Sequence, residues 1–160
     1  MENLREMFSS FGLKNVTTYI QSGNVLFETA KTNAQTLTKK IESGLQKALG
    51  YDVTVIIRTV DEMAEIVKLN PFKDVKADKE KFLYVTFLSN EPDEARKKEL
   101  LNSANDVEAY EIIGREVFIL CDKKGYGKTK FNNTYLEKKL ALRATTRNWN
   151  TVRKMVEMVE

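Results

Sequence analysis

Two rhythms of apolar residues alternate along the chain, and each change of rhythm marks an element. Leu4, Met7, Phe8 and Phe11 recur at the spacing of one helix face, and Gly12 follows, a residue whose freedom at positive φ suits a helix end. "VTTYIQSGNVLFE" then places β-branched and aromatic residues in two runs joined by Ser22-Gly23, which predicts a tight hairpin. Thr32 and Gln35 have capping-box spacing, and Leu37, Ile41, Leu45 and Leu49 line one face of a second helix that stops at Gly50. "VTVIIR" from Val53 reads as a mostly buried strand. Thr59 and Glu62 form another capping box, ahead of a helix carrying Met63, Ile66 and Val67 that Asn70-Pro71 ends.

"KDVKADKEK" alternates in charge and is almost free of apolar residues, so it reads as a linker, with a boundary near Lys79 between a half 1–79 and a half 80–160. Beyond it come a strand "KFLYVTFLS", a helix from about Pro92 to Ser103, and a hairpin "VEAYEIIGREVFILC". A loop "DKKGYGKTKFNN" leads to a helix from about Thr134, where Thr134 and Glu137 again have capping-box spacing. A final helix carries Trp149, Val152, Met155 and Val156.

The two hairpins overlay at an offset of 91 residues: Val16 meets Val107, Tyr19 meets Tyr110, Gly23 meets Gly114 and Phe27 meets Phe118. Both halves share the order helix, strand, strand, helix. The second adds a strand in front and the first adds one behind, so both are fragments of the βαββαβ unit of ferredoxin-like folds, with helices over one face of an antiparallel sheet. The expected class is α+β, two ferredoxin-like halves related by internal duplication plus a C-terminal helix.

Composition narrows the chemistry. The 160 residues include no histidine and one cysteine, Cys121, so no internal disulfide, imidazole base, Ser-His or Cys-His nucleophile, or Cys/His zinc site can form. No catalytic, cofactor or metal residue is assigned. Cys121 lies in the apolar run "EVFILC" and reads as a buried structural thiol. No apolar run approaches the ~18 residues that cross a bilayer, and the N-terminus shows no secretory pattern, so a cytosolic protein without a membrane partner is expected.

Charge is unevenly placed. Lys123 to Lys154 carries ten basic residues against one acid, Glu137, whereas the rest holds 16 basic and 22 acidic residues. A mildly acidic body thus ends in a strongly basic segment, the main electrostatic lead to a partner.

"TYIQSGNVLFE", "NPF" at Asn70 to Phe72, the Gly-Tyr-Gly-Lys-Thr-Lys loop and "ATTRNWNTV" from Ala144 to Val152 together resemble a bacterial family catalogued as domain of unknown function 1697. The likeness spans nearly the whole chain. It implies two ferredoxin-like halves and no established activity. It also implies a strand and an arginine-bearing glycine turn ahead of the first helix, and this chain starts at the helix. The first half is therefore expected to lack its central strand, so that the sequence lacks the native start or another segment or chain fills the gap.

Gly127-Lys128-Thr129 invites comparison with a phosphate-binding loop. The glycine required five residues earlier is Asp122, whose carboxylate would repel phosphate, and the preceding strand closes a hairpin instead of joining a parallel sheet. A milder reading makes Lys128, Lys130, Arg143, Arg147 and Lys154 a basic surface, with Tyr126 and Trp149 to stack on bases and Asn148 and Asn150 to hydrogen-bond phosphate or a base edge. The plain alternative has Lys138, Lys139 and Arg143 complementing a helix C-terminus, and Trp149 anchored in the core. Tyr19 with Gln21, and Tyr84 with Thr86, share strand faces that either display aromatic groups to RNA or pack inside. Asp61-Glu62 and Asp93-Glu94 read as first-turn helix acids.

The expectation is a non-catalytic protein that binds nucleic acid or nucleotide through Lys128, Lys130, Arg143, Arg147, Asn148 and Asn150. Alternatives are a protein-interaction or structural module and an enzyme with a small-molecule site between the halves.

Overall fold

Leu4, Met7 and Phe8 fold as expected into helix α1 (Glu2–Ser10), which Gly12 leaves at φ +86°. This is the start of a computed structural model that describes residues 2–19, 23–72, 81–103, 108–122 and 132–159. The described residues form six helices and two antiparallel sheets. They gather into two units, Met1–Ile57 and Arg58–Glu160. The expected boundary near Lys79 lies outside the described residues.

In the first unit, β1 (Lys14–Tyr19) and β2 (Asn24–Glu28) form the expected hairpin, with Tyr19 opposite Asn24. The ladder slips between Lys14 and Thr17, where Asn15 takes the left-handed conformation at φ +51° and donates from Nδ2 to Glu28 Oε2 at 2.7 Å. Helix α2 (Ala34–Leu49) is capped one residue later than the Thr32–Gln35 box implies: Asn33 Oδ1 accepts from Thr36 N–H at 2.7 Å. Asn and Thr both satisfy a helix N-terminus, and the residue adjoining the first turn wins. Leu37, Ile41 and Leu45 are buried with Phe8 and Leu13. Gly44 lets the two helices meet, since a Cβ there would lie 2.5 Å from the Phe11 ring.

The strand expected at "VTVIIR" is not formed. Val53, Val55 and Ile57 do rest, half-buried, on the α1–α2 core, but the segment belongs to neither sheet. Val55 N–H instead donates to Glu42 Oε2 on α2 at 3.0 Å. Apolar alternation predicts which side chains turn inward; a ladder also needs a neighbouring backbone. The first-unit sheet is accordingly two-stranded.

The second unit opens with α3 (Val60–Lys68), whose Thr59–Glu62 capping box is complete in both directions. Then follow β3 (Lys81–Leu88), α4 (Glu94–Asn102, capped by Asp93), β4 (Glu108–Ile113), β5 (Glu116–Asp122), α5 (Asn133–Leu140), β6 (Ala144–Asn148) and α6 (Trp149–Glu157). The cap of α5 is Asn132, which accepts from Tyr135 N–H at 2.8 Å, so the Thr134–Glu137 box is also displaced. The strands align in the order β4-β5-β3-β6, every pair antiparallel. Strand β6 was not anticipated.

On one face of this sheet, Leu88, Tyr110, Val117, Ile119, Cys121 and Ala144 pack with Leu100 of α4 and Leu136 and Leu140 of α5. The opposite face buries Leu83, Val85, Phe87, Phe118 and Leu120, where α6 lies on β3 and β6 and against α3. Helices therefore cover both faces, not one, and β5 reads as a continuous apolar run because neither of its faces meets water. The two hairpins share a positive-φ turn glycine, Gly23 at +82° and Gly114 at +59°. Their one-for-one match does not extend to pairing: Tyr19 stands at its turn opposite Asn24, whereas Tyr110 stands mid-ladder opposite Ile119.

Candidate functional site

Strand β6 brings together the part of the basic segment that is described. A strand turns alternate side chains to the same side, so Thr145 and Arg147 share the α6 side of the sheet, and Arg143 immediately precedes the strand. β6 pairs with β3 along one edge and is the end of the sheet on the other. Arg147 is half-buried: its Nη1 donates to Thr145 Oγ1 at 2.8 Å and to Thr146 O at 2.9 Å. Loss of hydration pushes its pKa down, because burial disfavours the charged form. Arg143 is exposed, and its backbone is tied to Ser89 through Ser89 N–H to Arg143 O at 2.9 Å.

Arg143 also borders a shallow depression of about 380 Å³ with Thr134, Lys138 and the Ala141–Leu142 turn. Ala141 ends α5 in the left-handed conformation at φ +55°. Glu137 lines the same depression and tempers its charge; its Oε1 accepts from Asn133 Nδ2 at 2.9 Å. Lys138 and Lys139 occupy the last turn of α5, as the macrodipole favours. Lys139 pairs with Glu99 at 3.3 Å and Lys154 reaches Glu157 at 4.0 Å. These two are partly neutralised, and Arg143 and Lys138 are exposed and border the same depression.

Asn148 caps α6, its Oδ1 accepting from Thr151 N–H at 2.8 Å, so the side-chain oxygen assigned to a ligand already serves the helix. Asn150 is exposed on the first turn of α6, and Trp149 is half-buried. Lys128, Lys130 and Tyr126, with the whole Gly127-Lys128-Thr129 loop, lie outside the described residues. The loop follows a strand that is antiparallel to both neighbours.

Of the two readings of Tyr84 and Thr86, packing inside is the one the structure shows. Tyr84 packs on the α4–α5 core and Thr86 is fully buried. Thr86, Thr146 and Asn133 form a polar string instead: the two hydroxyls lie 2.7 Å apart, and Thr146 donates to Asn133 Oδ1 at 3.2 Å. Since a hydroxyl has one proton, Thr86 must be the donor to Thr146. Asn133 Nδ2 continues the string to Ala144 O at 2.7 Å.

Two further groups gave little sign in the sequence. Arg58 is nearly buried, with its Nε 3.0 Å from Glu116 Oε1 and Nη2 2.7 Å from Leu88 O. Glu108 is buried on β4 and accepts the Tyr110 hydroxyl; burial first, then this bond and its charge, push the Tyr110 pKa well up. Only a charged residue at the end or start of an apolar run hinted at either. Among the described residues no cluster of three or more His, Cys, Asp or Glu is placed to hold a metal, and no helix is long and apolar enough to cross a membrane.

A family profile described as "Protein of unknown function (DUF1697)" matches residues 1–118. Among solved structures, the chain resembles the conserved bacterial protein SP0830 from Streptococcus pneumoniae, with 21% identity and a TM-score of 0.76 over 99% of this chain and 87% of that one. At that identity the likeness concerns the fold. No curated protein matches the chain.

Proposed function

Given that the chain belongs to the DUF1697 family of unknown function, we propose from its own surface that it binds a phosphate-rich partner, nucleic acid or nucleotide, along the β6 edge. The observation that carries this reading is the gathering of basic residues at one sheet edge, Arg147 within β6 and Arg143 just before it, with Lys138 beside Arg143. Two guanidinium groups spaced along a sheet edge match a charged polymer better than a single small anion, because each neutralises a separate phosphate. Asn150 on the adjoining helix turn adds a neutral hydrogen-bonding group, and Lys128 and Lys130 belong to the same basic segment of the sequence. Cytosolic residence belongs to the same proposal.

The fold reading that accompanies it treats the second unit as ferredoxin-like. Its element order and the strand order β4-β5-β3-β6 support that reading, and the first unit supplies the helix-strand-strand-helix part of a related half.

Titration of labelled single-stranded and duplex oligonucleotides, with a mononucleotide as control, tests the proposal at two salt concentrations. Binding is expected to weaken as salt rises, and Arg143→Glu to weaken it while reducing the salt slope by about one phosphate contact. Absence of binding at low salt, or an Arg143→Glu variant that binds as the parent does, overturns it.

A further inference from the structure

The second unit has a groove whose character is opposite to that of the β6 edge. It runs between α3 and the β4–β5 turn and encloses about 380 Å³. Ile66, Leu69, Ile113 and Phe118 make it apolar, and Glu65 and Glu91 stand at its rim. Leu69 borders this apolar lining and is 46% exposed.

The electrostatics of the walls are unbalanced. Glu62 and Glu116 line the groove and are paired, with Arg115 and Arg58 respectively, and Glu91 lies 3.6 Å from Lys97. Glu65 adds a further carboxylate at the rim, and outside the lining Glu111 is exposed on the edge strand β4 directly across from Phe118. Four carboxylates thus line the groove against one lining cation, Arg115, and with the partners Arg58 and Lys97 also counted the surplus is still negative. An apolar channel with an anionic rim repels phosphate and lipid headgroups, and it complements a cationic ligand that also carries an apolar group.

We propose that this groove docks a short peptide segment of a partner protein in which one large apolar side chain is flanked by lysine or arginine. The apolar side chain covers Leu69 and fills the space between Ile66 and Ile113. The flanking cations face Glu65 on one side and Glu111 on the other. Docking here is independent of the β6 edge, so the molecule presents an anionic groove to a protein and a cationic strand to a phosphate.

Fluorescence anisotropy of the full chain with labelled peptides tests this. One peptide has a central leucine or phenylalanine between lysines, a second has the lysines replaced by glutamates, and a third has the apolar residue replaced by serine. The first is expected to bind saturably, and the other two at least about tenfold more weakly. Glu65→Lys and Leu69→Asp, both at exposed positions, are each expected to weaken the first peptide about tenfold. Raising salt from about 50 to about 300 mM should weaken the parent more than Glu65→Lys, since screening acts on the charge part. Both variants should keep the parent's melting curve and oligonucleotide binding. The proposal is overturned if the first peptide does not saturate, if the glutamate peptide binds equally, or if neither variant changes its affinity.

Discussion

Replacing Arg58 by methionine isolates a buried ion pair that joins three parts of the second unit. The Arg58 side chain is 5% exposed and that of Glu116 12%, with 3.0 Å between Nε and Oε1. The same guanidinium donates from Nη2 to Leu88 O at 2.7 Å and Arg115 O at 3.3 Å, and lies 5.7 Å from the centre of the Phe87 ring. Methionine keeps most of the stem's packing but leaves the Glu116 carboxylate without its buried cation and Leu88 O without this donor. Removing one partner of a buried pair costs about 3–5 kcal/mol, a large share of the roughly 5–15 kcal/mol that holds a domain together. Because most of that cost is the stranded charge, Arg58→Met with Glu116→Gln should be more stable than Arg58→Met alone. Urea unfolding followed by Trp149 fluorescence reads this directly, Trp149 being the single tryptophan and lying in the same unit. A loss under about 1 kcal/mol for Arg58→Met, or a double variant no better than the single one, would refute the stranded-charge reasoning.

Thr86→Val removes the first donor of the buried Thr86–Thr146–Asn133 string and should cost about 1–3 kcal/mol in the same urea assay, with Thr86→Ser nearer the parent. Burial raises the Glu62 pKa, but hydrogen bonds at Thr59 and the charges of Arg115 and Arg58 outweigh it and leave the group below its ordinary 4.5. The resulting stability is complete above that ordinary value and is lost as pH falls through the folded one. Glu62→Gln keeps a cap acceptor, so its urea midpoint should fall less steeply with acid than the parent's. Cys121 is fully buried and should resist a thiol reagent in the folded protein, reacting only when denaturant is added.

Where side chains alone decide an outcome, the sequence foretold it well. The α1 and α2 faces, the Thr59–Glu62 box and both hairpins follow from spacing, and each is local. The failures are places where a distant backbone decides. "VTVIIR" has the side-chain alternation of a strand yet finds no ladder, and "ATTRN" has hardly any apolar alternation yet pairs with β3 across some sixty positions of chain. Only its two threonines favoured a strand. Without β6, the placement of Arg143 and Arg147 at one sheet edge is hidden as well. The capping role of Asn148 is equally hidden, because a cap is recognisable only once the helix start is known. Arg58 carried no periodic signal: its role depends on Leu88, Arg115 and Glu116, all remote in sequence.

The Glu42–Val55 contact sets how the last stretch of the first unit should exchange its amide protons. In β5, releasing one N–H means disrupting bonds to strands on both sides, so exchange waits for cooperative opening. At Val55 the acceptor is a side chain, and one rotamer change of Glu42 exposes the amide while α2 stays intact. Deuterium should therefore enter at Val55 long before it enters Val117 to Leu120, so that the second unit keeps its protection while the approach to Arg58 has already lost its own.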